Sequence, residues 1–211
     1  MFKKRERKNK CHQLKEESIS NEQMRMIQAN IDQKIECHST SIMLTSPNDD
    51  GEKSIISSKL AISFAEQGKK VLLVDANLRN PYTHNWFQLT NQSGFTNVII
   101  EEDEIQHHIK ETVIPGLFVL PAGPAPLNLS DLWVTSKIKE MIRKVQSEYD
   151  VVIFEAPPFL NISDSQILAN QCDGVILVVR ANKTKKADVL KTKDYLEKTN
   201  NSILGVIYHT G

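Results

Sequence analysis

From Ile42 onward the chain alternates short, largely apolar runs with longer stretches in which apolar residues recur every three or four positions. The runs at 42–46, 71–75, 117–121, 151–155, 175–180 and 203–208 read as strands. Helix-sized stretches lie between them: 54–66, a segment containing 83–109, 136–147, 163–170 and 185–198. A strand that is apolar along its length, rather than at alternate positions, is covered on both faces and belongs to a parallel sheet between helix layers. The pattern therefore predicts a doubly wound α/β domain with a mainly parallel sheet and helices on both faces. Such sheets bind ligands beyond the carboxyl ends of their strands, which is where chemistry is expected. Ahead of the first strand, residues 20–35 read as a helix, with Asn21 as a possible cap and Met24, Ile27 and Ile31 on one face.

Composition narrows the function classes. A length of 211 residues favours one domain with an appendage, and a hydrophobic share of 40% is enough to build a core. Lys and Arg (26) balance Asp and Glu (26), which removes the electrostatic case for a nucleic-acid binder. The basic charge is nevertheless concentrated at the start, where Lys3, Lys4, Arg5, Arg7, Lys8, Lys10 and Lys15 outweigh Glu6, Glu16 and Glu17. Residues 1–18 read as a flexible basic arm without a signal-peptide core, and residues 19–211 as the folded domain. The longest apolar run, Val175-Ile176-Leu177-Val178-Val179, is far shorter than the ~20 residues of a membrane span. Cys11, Cys37 and Cys172 are odd in number and lack metal-type spacing, as suits a reducing cytoplasm.

The candidate chemistry sits at the predicted strand ends. The first strand runs into Ser46-Pro47-Asn48-Asp49-Asp50-Gly51-Glu52-Lys53-Ser54-Ile55 and then directly into a helix. A strand–loop–helix ending in Lys-Ser is the context of a phosphate-binding loop, in which backbone N–H groups and the Lys hold phosphates and the Ser holds Mg²⁺. Here Asp49, Asp50 and Glu52 put anions where a triphosphate would lie. At ~8 Å and an effective dielectric of ~20, each unit pair costs about 2 kcal/mol. Asp75 ends the second strand and Glu155 the fourth, and carboxylates in these places serve as metal ligands or bases.

The order of Lys53-Ser54, Val74-Asp75-Ala76-Asn77-Leu78-Arg79-Asn80-Pro81, Gly123-Pro124-Ala125-Pro126-Leu127-Asn128, Phe154-Glu155-Ala156-Pro157-Pro158 and Asp164-Ser165-Gln166 resembles the bacterial tyrosine kinases of capsular and exopolysaccharide synthesis. The resemblance runs from about residue 21 to residue 207. It implies a P-loop NTPase-like fold, ATP with Mg²⁺, and protein tyrosines as acceptors. It also implies a membrane-bound activator, the polysaccharide co-polymerase subunit, as partner, and hence a cytoplasmic protein held at the inner face of the plasma membrane. By position, Asp50, Gly51, Glu52, Lys53, Ser54 and Ile55 would bind the nucleotide, and Lys53, Asp75 and Glu155 would be catalytic. Ser54, Asp75 and Glu155 would serve the metal. Glu22, Arg25 and Gln28 fall on the family's oligomerisation helix, within residues 19–35, and their spacing of three places them on one face for association with copies or related kinases.

Several positions depart from that family. Glu52 replaces a Gly before the Lys, Asn77 replaces an Asp, Glu155 is one methylene longer than the expected Asp, and Gln28 replaces an Arg. Of the four tyrosines, Tyr82, Tyr149, Tyr195 and Tyr208, none forms a terminal cluster. These changes predict impaired phosphotransfer, with a pseudokinase scaffold as the alternative. A partitioning-type ATPase fits less well, because Asn48 stands where its signature Lys belongs. His107 and His108 read as surface residues in an acidic stretch, and Trp86, Phe87 and Trp133 as packing residues.

Overall fold

The computed structural model describes residues 21–33, 39–49, 51–125, 133, 135–199 and 201–210. The basic arm, Cys11, Cys37, Asp50 and the end of the Gly123–Asn128 motif lie outside the described residues. Seven strands form one sheet: β1 (Thr40–Thr45), β2 (Val71–Asp75), β3 (Lys110–Glu111), β4 (Leu117–Leu120), β5 (Val151–Glu155), β6 (Gly174–Arg180) and β7 (Ile203–His209). Their order is β3-β4-β2-β5-β1-β6-β7, with every pairing parallel except β3 with β4.

The apolar runs behave as expected of doubly covered strands. Every residue of β1, β2 and β5 is buried. Successive side chains feed opposite cores: Ile42 and Leu44 enter one cluster with Leu60 and Phe64 of α2 (Lys53–Glu66), and Met43 enters the other. That second cluster gathers Ile138 and Met141 of α6 (Thr135–Gln146), Leu168 of α7 (Ser163–Ala169) and Leu196 of α8 (Lys186–Lys198). Trp133 and Phe95 also pack there, with ring centroids 5.9 Å apart. Each fully buried aromatic or aliphatic side chain contributes roughly 1.5–3 kcal/mol.

Three differences from the sequence pattern have local causes. The segment 83–109 is not one helix but three short ones, α3 (Thr83–Trp86), α4 (Phe95–Ile100) and α5 (Ile105–His108), separated where Gln88 and Glu102 take positive φ. Strand β3 has only two residues, both polar, and leaves no periodic signal. His108 is not a surface residue: Ile105 anchors α5 in the core, and His108 turns inward with its Nε2 3.4 Å from Asp103, whereas His107 is exposed.

Helix α1 (Asn21–Asp32) starts at Asn21 and presses Met24, Gln28 and Ile31 inward, where Ser63 of α2 donates to Gln28 Oε1 at 2.8 Å. A spacing of three turns each successive residue about 60° around the helix. The step from 22 to 28 therefore carries Gln28 away from the exposed face that holds Glu22 and Arg25.

The start of α4 is set by close backbone packing. The N–H groups of Phe95 and Thr96 donate to the carbonyls of Pro121 and Ala122 at 2.8 and 3.0 Å, and a Cβ at Gly94 would meet the Pro121 carbonyl. Gly94→Ala is expected to cost about 1–3 kcal/mol through this backbone clash, read as a lower midpoint in urea unfolding with an unchanged slope.

Candidate functional site

The carboxyl ends of β1, β2 and β5 lie side by side, with Leu44 opposite Glu155 and Glu155 opposite Asp75. Beyond them is a cleft of about 270 Å³ lined by Asp49, Gly51, Lys53, Ser54, Asn77, Asn80, Tyr82, Trp86 and Glu155. The loop after β1 is tied to the loop after β5. Phe159 N–H donates to the Ser46 carbonyl at 2.8 Å, and Thr45 Oγ1 donates to the Pro157 carbonyl at 2.7 Å. Asn48 Nδ2 donates to Asp188 Oδ2 of α8 at 2.8 Å.

The loop conformation explains its unusual sequence. Gly51 has φ +76, a value that favours glycine, whereas Glu52 has φ −117 and ψ −4, open to any residue. Nothing in the backbone demands Gly at position 52. Nor does Glu52 add its charge to the cleft as the sequence suggested. Its Oε1 lies 3.0 Å from Arg180 Nη2 and its Oε2 lies 3.0 Å from His209 Nδ1. Asp49 is exposed, and its Oδ1 accepts from Gly51 N–H at 3.2 Å. Lys53 and Ser54 begin α2 and are both buried in the cleft wall. Ile55 turns into the hydrophobic core, so only its backbone faces the loop.

Asp75 and Glu155 are fully withdrawn from water. Asp75 Oδ2 accepts from the N–H groups of Tyr82 and Thr83 at 3.1 and 3.0 Å, and its Oδ1 accepts from Asn77 N–H at 3.3 Å. Thr83 serves both acids, because its Oγ1 also donates to Glu155 Oε2 at 2.6 Å. Burial, and then the neighbouring Glu155 charge, pushes Asp75 well above the usual carboxylate range. Burial also raises Glu155, opposed by the Lys53 charge and by the Thr83, Ser54 and Asn77 side chains that face it. Both shifts have the same sign, so this buried pair gives up its protons less readily than isolated carboxylic acids do.

The donor set suits a divalent cation and a phosphate chain. Ser54 Oγ is buried and makes no hydrogen bond to the described residues, although it faces Glu155 closely enough to favour that carboxylate's charged form. An orphaned hydroxyl beside a buried carboxylate at a helix start matches the hard-oxygen chemistry of Mg²⁺. Lys53 supplies positive charge in the same cleft. Arg79 reaches across to Asp164 of α7 at 3.6 Å, joining the loop after β2 to the segment after β5.

The structure therefore brings Gly51, Lys53, Ser54 and Glu155 together around one cleft with Asp75 beside them, while Glu22, Arg25 and Gln28 lie on α1. Sequence reasoning missed Thr83, a single hydroxyl at the first position of α3 with no pattern to mark it. It also missed the partners of Glu52, which come from two later strands.

Comparison with known proteins gives the family and the fold. A family model described as an AAA domain matches residues 48–205. Over 191 residues the chain is 38% identical to the tyrosine-protein kinase YwqD of Bacillus subtilis, covering 90% of this chain and 81% of that protein. Among solved structures it is similar to the chimerical protein CapA2B2, with a TM-score of 0.83 and 32% identity over 89% of this chain and 83% of that one. The kinase domain of the Escherichia coli tyrosine kinase ETK superposes with a TM-score of 0.84 at 28% identity, covering 90% of this chain and 75% of that one.

Proposed function

This chain belongs to the bacterial tyrosine-kinase family, and we propose that it transfers the terminal phosphoryl group of ATP to protein tyrosines in capsular or exopolysaccharide synthesis. The observation that carries this reading is the meeting of Lys53, the orphaned Ser54 hydroxyl and the buried Glu155 in one cleft at the strand ends. Lys53 and the N–H groups at the start of α2 would hold the phosphates, and Ser54, Asp75 and Glu155 would hold Mg²⁺. A bound Mg²⁺ supplies positive charge to the phosphoryl oxygens. As the tyrosine oxygen bonds to the γ-phosphorus and the bond to ADP breaks, the hydroxyl proton would pass to a carboxylate oxygen at the cleft that is not on the metal, with Glu155 the buried acid that lines it. Thr83 keeps both carboxylates in place throughout.

The chemistry is slowed by position rather than by failure to bind nucleotide. Asn77 brings no charge to the cleft. The extra methylene of Glu155 shifts its carboxylate by ~1.5 Å, a displacement that can cost about 10²-fold in a positioned reaction. These same two residues favour the second reading, a scaffold that binds nucleotide without efficient transfer.

A membrane-bound activator is the proposed partner, with the chain peripheral at the inner face of the plasma membrane. No helix among the described residues is long and apolar enough to cross a membrane. Exposed Met26 on α1 and exposed Val206 and Tyr208 on the outer strand β7 offer apolar contact area for the activator or for other copies, next to Glu22 and Arg25.

Calorimetric titration of Mg-ADP into the chain tests the reading. Micromolar affinity is expected, with protons released. The raised carboxylates give up their proton to bind a cation, so the measured heat should vary with the buffer's ionisation enthalpy, and affinity should increase with pH. Absence of binding overturns the nucleotide-site reading. Binding without tyrosine phosphorylation, even with an activator's cytoplasmic segment present, selects the scaffold.

A further inference from the structure

Glu52 stands immediately before the phosphate-loop lysine, where a carboxylate free to rotate would share the cleft with Lys53 and oppose phosphates. Its backbone angles are ordinary, so the direction of its side chain is decided by its partners and not by strain. Those partners come from the two outermost parallel strands. β6 and β7 pair in a register that sets Arg180 opposite His209, and both residues reach the Glu52 carboxylate, one to each oxygen, at 3.0 Å.

Both ends of this contact are held. Arg180 N–H donates to Thr184 Oγ1 at 3.0 Å, and the N–H of the following Ala181 donates to the His209 carbonyl at 2.8 Å. Glu52 is 22% exposed and Arg180 29%, so the attraction between their charges is only partly screened by water, while the His209 ring, 1% exposed, packs against the other carboxylate oxygen.

We propose that Arg180 and His209 are positioning residues for nucleotide binding, a two-point clamp that holds the Glu52 carboxylate away from the phosphates, with Arg180 offsetting its charge. The inference rests on reading the cleft as a Mg-nucleotide site. It assigns a role to two residues at the ends of β6 and β7 and accounts for how a phosphate loop tolerates an acid directly before its lysine. Without either partner, the carboxylate gains rotamers that point into the cleft, where it competes with phosphate for Lys53.

The test is a set of Mg-ADP titrations on the full chain. Arg180→Gln and His209→Gln are each expected to weaken binding by about tenfold or more while Glu52 is present. In a Glu52→Gln background the same substitutions should change affinity by less than about twofold, because no charge is left to restrain. Arg180→Lys, which keeps the cation, should retain part of the affinity and separates charge from folding. Equal losses in both backgrounds, or no loss in either, overturn the clamp while leaving the nucleotide site standing. Failure of every chain to bind Mg-ADP, the Glu52→Gln chain included, overturns the nucleotide site and the clamp's function with it.

Discussion

Lys53→Met is expected to remove Mg-ADP binding and tyrosine phosphorylation by at least about 10²-fold each, the size of effect seen when a preorganised charge is taken from a phosphoryl or oxyanion site. Lys53 is almost wholly buried, begins α2 and lines the cleft with Ser54 and Glu155. Its ammonium is the charge that holds Glu155 down against the effect of burial. Its loss therefore acts twice. The phosphates lose a cation, and the carboxylate pair holds its proton more firmly and becomes a poorer site for metal. Methionine keeps most of the side-chain volume, so the fold should persist, as far-ultraviolet circular dichroism would check. A Lys53→Met chain that binds Mg-ADP as tightly as the native chain would remove this cleft from consideration.

The second large effect separates activity from stability. Glu155→Gln should abolish phosphotransfer, by about 10² or more, yet make the ligand-free chain more stable at neutral pH by on the order of 1 kcal/mol. Two buried acids at neighbouring strand ends are both raised by burial, and Asp75 is raised further by the charge of Glu155. In the native state they bind more protons than in the unfolded chain. Stability therefore falls as pH rises from the ordinary carboxylate range through their raised range. A glutamine at 155 keeps an acceptor for Thr83 and removes one of the two interacting charges. Urea unfolding at pH 5 and pH 8 should show native stability declining between them, with the decline smaller in the variant. A native chain that gains stability over that interval would contradict the assignment.

The parts of this molecule that could be read from sequence were those dictated by local regularity. β1, β2 and β5 are buried throughout and carry apolar runs, Ile42–Leu44, Val71–Val74 and Val151–Phe154, because helices cover both faces, and that signature is visible without any partner in view. Asp75 and Glu155 could be placed because a strand end fixes where its last side chain lies, and Lys53-Ser54 because they stand where the loop after a strand turns into a helix. The Glu52 contacts could not be read in this way. They depend on the register of β6 against β7, a property of the assembled sheet. His108 misled for a related reason: its neighbours are acidic, but the single turn of α5 is oriented by Ile105 below it. Gln28 followed a motif spacing that suggested one face, whereas the helical rotation delivers it to Ser63 inside the domain.

The sheet order also bears on how the molecule is made. β1, which precedes the candidate phosphate loop, pairs with β5 and β6 and not with β2, the strand next to it in sequence, while β2 pairs with β4 and β5. A nascent chain that has emerged only as far as α6 has no partner for β1. Its loop is then unanchored, because Phe159 and Asp188 are still to be synthesised. Closing such distant contacts is slow, and apolar strand edges stay open until it happens. Nucleotide therefore cannot assist the early stages of folding, and during synthesis β1, which lacks both partners, and the edge of β2 that awaits β5 are the apolar surfaces left open.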